Sequence, residues 1–190
     1  QTLMLSEVLQ SCGFAVEVLC YFEFENSMVA EYRSKGLHVE LLNLDRRINP
    51  LKLIHVLKKK IKTDKPSIVH IQYMMPGALP IIATRLAGVK TIFATVHQPY
   101  TKSHGRTSKL ILRTISLLIT KFLAVSQNVE KSWFGWSHMG DLSLSAARQP
   151  RHFTIHNSVN TETILKISSN VIANKIKERL SIQASVPVIG

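Results

Sequence analysis

The sequence predicts an α/β fold, a doubly wound, mostly parallel sheet with helices on both faces. Three observations point there. Short apolar runs alternate with segments of helical periodicity along the 190 residues. Those runs are near-continuous, as strands buried on both faces require. No internal repeat or low-complexity linker interrupts the series. The 45% hydrophobic content and mean hydropathy of +0.10 belong to a chain able to bury a core, which excludes a disordered tail.

The elements follow in order. Residues 2–12 read as a helix, with Met4, Leu5, Val8, Leu9 and Cys12 on one face and Gly13 closing it. Residues 14–22 read as a buried strand, 26–35 as a second helix ended by Gly36, and 37–44 as a second strand. In 50–62, Leu53, Ile54, Leu57 and Ile61 share an inward face and most of the lysines face water, with Pro50 in the first turn. Strand 67–72 leads to a helix near 77–87, and strand 90–96 to a helix near 103–120. Strand 121–125, helix 127–134 and strand 151–155 complete the series, with right-handed crossovers. The irregular segment 135–150 reads as an insertion in preference to a functional flap.

Both ends read as cut. The chain opens on a helix where such a unit begins with a strand. Residues 186–190 look like the opening of another strand after a helical stretch, 163–180. The best apolar run, 110–125, is interrupted by Arg113 and Lys121, so no spanning helix is expected, and the opening QTLMLSEVLQS has no signal-peptide pattern. Cys12 and Cys20 lack the spacing of a zinc or redox motif and read as reduced core residues of a cytoplasmic protein.

The formal net charge of +12 is uneven. Residues 1–45 carry two basic and seven acidic side chains, whereas 46–121 carry fifteen basic and one acidic, Asp64. Such a cationic stretch suits nucleic acid, an anionic membrane or a phosphorylated substrate, or is simply solvated, and charge alone does not choose.

Ligands of open parallel sheets bind beyond the carboxyl ends of the strands. The residues there are Gln72 and Tyr73, His97 and Gln98, Ser126, and His156 with Asn157, a set suited to a hydroxyl-rich ligand. In TIFATVHQP an apolar strand runs directly into His97, which either binds a ligand hydroxyl or satisfies a loop carbonyl. Ser126 suits a helix N-cap, and Asn157 a left-handed turn or a ligand amide contact. His152 and His156 share a strand face without an accompanying carboxylate, so no metal is assigned. His70 reads as a core histidine and His104 as a solvated loop residue. No Gly-x-Gly-x-x-Gly fingerprint, Walker loop or Asp-x-Asp pair occurs.

The ordered segments LSEVLQSCGFAVEVL, KPSIVHIQ, LAGVKTIFATVH, ITKFLAVSQNV and FTIHNSVNTE together resemble the amino-terminal domain of family 4 retaining glycosyltransferases, which have the GT-B fold of two facing Rossmann-like domains. The resemblance covers nearly the whole chain. It implies an acceptor-side domain over 1–185, with 186–190 beginning a donor-binding domain. The implied partners are a nucleotide-diphosphate sugar as donor substrate, with no further cofactor, and a glycan, lipid-linked or small-molecule acceptor. His97 matches the histidine that approaches the transferred sugar, Ser126 the serine before a cleft helix, and Asn157 the asparagine of an Asn-Gly-Val-Asp turn. That turn departs here at Ser158 and Asn160, and Ser67 replaces a common aspartate. The first strand with its glycine-rich loop and the donor half lie outside the sequence, so the isolated chain is expected to fold poorly and to transfer no sugar.

The resemblance also gives the basic stretch a use: Arg106, Lys109 and Arg113, at helical spacing, are expected to contact phosphate or an anionic membrane from the cytoplasmic side. The rival readings are a non-catalytic basic binding module and an epimerase-like enzyme with one such half. Nucleic acid is disfavoured, because no aromatic residues interleave with the basic ones.

Overall fold

Helices and parallel strands alternate throughout the computed structural model, which describes residues 1–73, 78–105, 107–141, 143–159, 161–170, 177–183 and 186. The chain forms two units, 1–157 and 158–190. In the first, the order is α1 (Thr2–Ser11), β1 (Glu17–Cys20), α2 (Asn26–Ser34), β2 (His38–Leu41), α3 (Pro50–Asp64), β3 (Ile68–Tyr73), α4 (Ala78–Leu86), β4 (Thr91–Val96), α5 (Ser108–Ile115), β5 (Lys121–Ala124), α6 (Gln127–Phe134) and β6 (His152–Thr154). The second unit contains α7 (Thr161–Asn170). Residues 171–176 and 187–190, where the sequence suggested more helix and a new strand, lie outside the described residues.

All strand pairs are parallel. They form two hydrogen-bonded sheets, β1-β2 and β3-β4-β5-β6. The larger sheet has its strand ends in register: Tyr73 pairs with Val96, Val96 with Ala124, and Ala124 with Thr154. Neighbouring parallel strands lie about 4.8 Å apart, so the chain leaves all four strands along one edge.

Alternation within β4 divides the sheet chemically. Ile92, Ala94 and Val96 are buried in the main core with Ile71, Ile81, Phe122 and Trp133. The opposite face of the same strand carries Phe93, Thr95 and then His97. A second apolar cluster gathers Leu53 and Leu57 of α3 and Ala83 of α4 beneath Leu19, Leu42 and Leu44. α3 starts where Asn49 Oδ1 accepts from Leu51 N at 2.9 Å, with Pro50 in the first turn, and ends where Lys65 takes a left-handed conformation (φ 52°).

Several expectations change. α1 forms, but Leu5 and Val8 on its apolar stripe are exposed and Ser6 is buried. The strand expected over 14–22 shortens to β1, leaving Phe14 exposed. Cys12 is exposed and Cys20 half-buried, so neither is a core residue. The single helix expected over 103–120 is broken into a 3₁₀ turn at Lys102–His104, α5, and a second 3₁₀ turn at Ser116–Leu118. Gly105, at φ 83°, supplies the break, because helical propagation stops at a left-handed residue. His104 is no solvated loop residue: it stacks on Tyr100 with ring centroids 5.7 Å apart and meets Trp133 edge-on at 5.1 Å.

The segment after α6 is fastened to the sheet. Glu130 is fully buried, and its carboxylate accepts from Thr154 Oγ1 and His152 Nδ1, each at 2.6 Å, and from His138 N at 3.2 Å. Thr154 N donates to His138 O at 2.7 Å and Gly140 N to Thr154 O at 2.8 Å, which prolongs the parallel pairing past β6. Gly140 is required there, since a Cβ would come within 2.7 Å of the Phe153 ring. A buried carboxylate with three donors is stable only while all are present. Glu130→Ala is therefore expected to cost about 3 kcal/mol or more in denaturant unfolding, by stranding His152 and Thr154; a loss below about 1 kcal/mol would show that the carboxylate does not anchor this segment.

Candidate functional site

Parallel pairing of β3 with β4 sets Gln72 opposite Thr95 and His70 opposite Phe93. Because side chains alternate along a strand, His70 and Gln72 fall on one face, and Thr95 and His97 on the same face of the neighbour. There they join. His97 Nε2 lies 2.8 Å from Gln72 Oε1, Gln72 Nε2 lies 3.4 Å from His70 Nε2, and His70 Nε2 lies 2.7 Å from Thr95 Oγ1. Four polar groups form a chain from the sheet interior to its carboxyl edge.

An amide oxygen only accepts and an amide nitrogen only donates. Gln72 Oε1 thus takes the Nε2 proton of His97, leaving His97 Nδ1 as the nitrogen that Gln72 does not engage. Burial lowers the pKa of His97. Burial pushes His70 down to about 4, with His97 adding to the effect. Both imidazoles are uncharged near neutral pH, which suits hydrogen bonding to hydroxyl groups better than ion pairing.

The other strand-end residues line the same edge. Ser126 caps α6, its Oγ accepting from Val129 N at 3.2 Å. Val125 N donates to Val96 O at 3.3 Å and Ile155 N to Ala124 O at 2.9 Å, so β4, β5 and β6 stay joined past their last residues. His156 Nδ1 lies 3.3 Å from Val125 O, and Asn157 follows it, exposed. Gln98 is exposed, and its carbonyl accepts from Trp133 Nε1 at 2.8 Å. Tyr73 closes β3. Among the described side chains of this set, Gln72 and His97 are joined directly, with Ser126 and Asn157 farther along the edge. A shallow depression lined by Arg33, Leu37 and His38 lies instead at the amino-terminal end of β2, the edge opposite to the one parallel sheets use for ligands.

Of the basic trio, Lys109 and Arg113 are engaged around Tyr100 and Trp133. Arg113 Nε donates to Trp133 O at 2.9 Å, and Lys109 Nζ sits 4.3 Å from the Tyr100 ring centroid. Arg106 lies outside the described residues. Among the described residues no cluster of three metal-ligating side chains occurs, and no helix is long and apolar enough to cross a membrane. His152, considered with His156 as a metal pair, points instead at Glu130.

Sequence reasoning took His70 for a satisfied core or interface histidine, which its contacts with Thr95 and Gln72 agree with; what it missed was Thr95 and the link from His70 to the site. The signal was the pair of polar residues two apart in each of two apolar strands, HIQ and TVH, which become neighbours only once the strands pair.

A family model described as Glycosyltransferase Family 4 matches residues 1–163. The chain belongs to glycosyltransferase family 4. Among solved structures, this family 4 chain is similar to a glycosyltransferase from Rickettsia africae ESF-5, with a TM-score of 0.66 and 16% identity. The match covers 98% of the chain and 46% of that protein, so the chain spans about half its length. At that identity the likeness establishes the Rossmann-like α/β half alone. No curated protein shows a significant sequence match.

The depressed histidine pKa fixes a pH dependence. A folded-state value of about 4 against the ordinary 6.5 means the unfolded chain binds the extra proton over that interval, so stability is present above 6.5 and lost as pH falls toward 4. At 1.36 kcal/mol per unit, His70 contributes a loss of about 3 kcal/mol between pH 7 and 4. Urea unfolding of the wild type and His70→Phe across that range should show a shallower acid slope in the variant; parallel slopes would show that His70 does not carry the loss.

Proposed function

We propose that this chain is the acceptor-side half of a retaining glycosyltransferase that moves a sugar from a nucleotide-diphosphate donor to a hydroxyl acceptor. On this reading residues 1–185 form the acceptor-side domain and 186–190 lead into the donor-binding half. The observation that carries it is the uncharged His97–Gln72 pair at the carboxyl ends of β3 and β4, in a chain of this family. In the reaction the bond between the sugar's anomeric carbon and the diphosphate breaks, the acceptor oxygen bonds to that carbon, and the acceptor hydroxyl's proton is taken up by the departing diphosphate. His97 is the proposed catalytic group, contacting a hydroxyl of the transferred sugar. Gln72 holds its ring, and Tyr73, Gln98, Ser126 and Asn157 line the edge where the acceptor and sugar rest. Residues 1–190 taken alone are expected to transfer no sugar, because on this reading the donor is held by the donor-binding half.

A peripheral contact with an anionic membrane at its cytoplasmic face accompanies this reading. Leu110, Ile111 and Leu117 are exposed by 68, 48 and 62% on and just beyond α5, beside Lys109 and Arg113. Exposed apolar side chains next to two cations suit an anionic lipid surface.

Two measurements test these readings. In the enzyme carrying both halves, His97→Ala is expected to lower kcat/KM by about 10²-fold; an unchanged value would remove His97 from the site. Sedimentation with phosphatidylglycerol vesicles, but not phosphatidylcholine vesicles, is expected for the wild type and should be lost in Leu110→Ser/Leu117→Ser; equal binding to both lipids would refute the membrane contact.

A further inference from the structure

The polar chain His97–Gln72–His70–Thr95 has two self-consistent proton arrangements. In one, His97 Nε2–H donates to Gln72 Oε1, the Gln72 amide donates to His70 Nε2, and Thr95 Oγ1–H donates to the same nitrogen. In the other the Gln72 amide is turned over: it donates to His97 Nε2, while His70 Nε2–H donates to Gln72 and Thr95. No mixed arrangement is free of two donors or two acceptors facing each other across Gln72. The tautomers of the two histidines are therefore linked although their rings do not touch.

The Gln72 amide as it stands, with its oxygen toward His97, corresponds to the first arrangement. The 2.8 Å contact joins His97 Nε2 to the amide oxygen, the 3.4 Å contact joins the amide nitrogen to His70 Nε2, and Thr95 Oγ1 stands 2.7 Å from that same nitrogen. His70 is mostly buried and packs edge-on against Phe93, with ring centroids 6.2 Å apart, which limits its freedom to rotate away.

We propose that His70 is a positioning residue: by accepting from Gln72 and Thr95 at Nε2 it fixes the Gln72 amide, and so holds His97 in the tautomer whose Nδ1 carries no proton. This deepens the acceptor-side reading and rests on it for the ligand. The cleft histidine then presents an acceptor nitrogen, so the group it recognises is a hydroxyl donating a hydrogen bond. An oxyanion, which needs a donor, is disfavoured at that point. His70 reaches the site only through Gln72 and touches no ligand.

The test reads the protons directly, in the enzyme carrying both halves and with no ligand bound, from the nitrogen-15 shifts of the two imidazoles at neutral pH. The wild type should show His97 protonated at Nε2 and His70 protonated at Nδ1. Gln72→Glu, whose carboxylate accepts on both sides, should leave His97 at Nε2–H and switch His70 to Nε2–H. His70→Phe, which keeps the ring against Phe93, should move His97 from a single tautomer to averaged shifts. A wild type with the opposite pair of tautomers, or with averaged shifts at either ring, overturns the proposal. So does a folded Gln72→Glu chain in which His70 is unchanged, and this arm decides the matter should His70→Phe fail to fold. Because no sugar is present, these outcomes stand apart from the His97→Ala transfer assay: linked tautomers with no loss of transfer would sink the acceptor-side role of His97 and leave the linkage intact.

Discussion

The parallel register between β3 and β4 is the constraint on which the site depends. A slip of β3 by one residue would send Ile71 to the polar face and His70 and Gln72 into the core. The register is held from the other side of the sheet, where Ile92, Ala94 and Val96 are essentially free of solvent and pack with Ile71, Ile81 and Phe122. Burying a side chain of this size stabilises by roughly 1.5–3 kcal/mol, far more than a part-buried hydrogen bond between Gln72 and His97. The apolar face therefore sets the geometry and the polar face inherits it.

The same logic extends to the end of the sheet. Glu130 buries a carboxylate under α6 and spends it on Thr154, His152 and the backbone of His138. Burial lowers the His152 pKa and the Glu130 contact opposes this, so a neutral ring donating Nδ1–H is the arrangement consistent with both. The effect is to tie the segment after α6 to β6, at the edge where Ser126, His156 and Asn157 emerge.

Charge counted along a sequence is not charge available to a partner. Lys60 lies in the cationic stretch yet is engaged by Glu17, Glu40 and Asp64; burial works against its charge, but those carboxylates outweigh it and raise its pKa. Lys121 Nζ donates to Gln149 O inside the fold, and Arg113 donates to Trp133 O. Lys52, Lys59 and Lys62 on α3 stay exposed, while on α5 the exposed surface is made as much by Leu110 and Ile111 as by cations.

The fold class was legible because parallel strands buried on both faces and amphipathic helices leave periodic signatures that need no partner to be read. Residues 127–134 were read as a helix with Ser126 as its cap, and α6 spans them with that cap in place. The strand-end residues could be picked out because the chemistry of a parallel sheet gathers at one edge. By itself, then, the sequence determined the order of elements, the doubly wound class and His97 as the group at the edge. Tertiary structure alone decided that helix 103–120 breaks at Gly105, that Cys12 is exposed, and that His104 stacks on Tyr100. It also decided that His70, 25 residues from Thr95 in the chain, shares a hydrogen bond with it. Periodicity is a local property of a chain, whereas the partner of a buried polar group is fixed only when strands distant in sequence come into register.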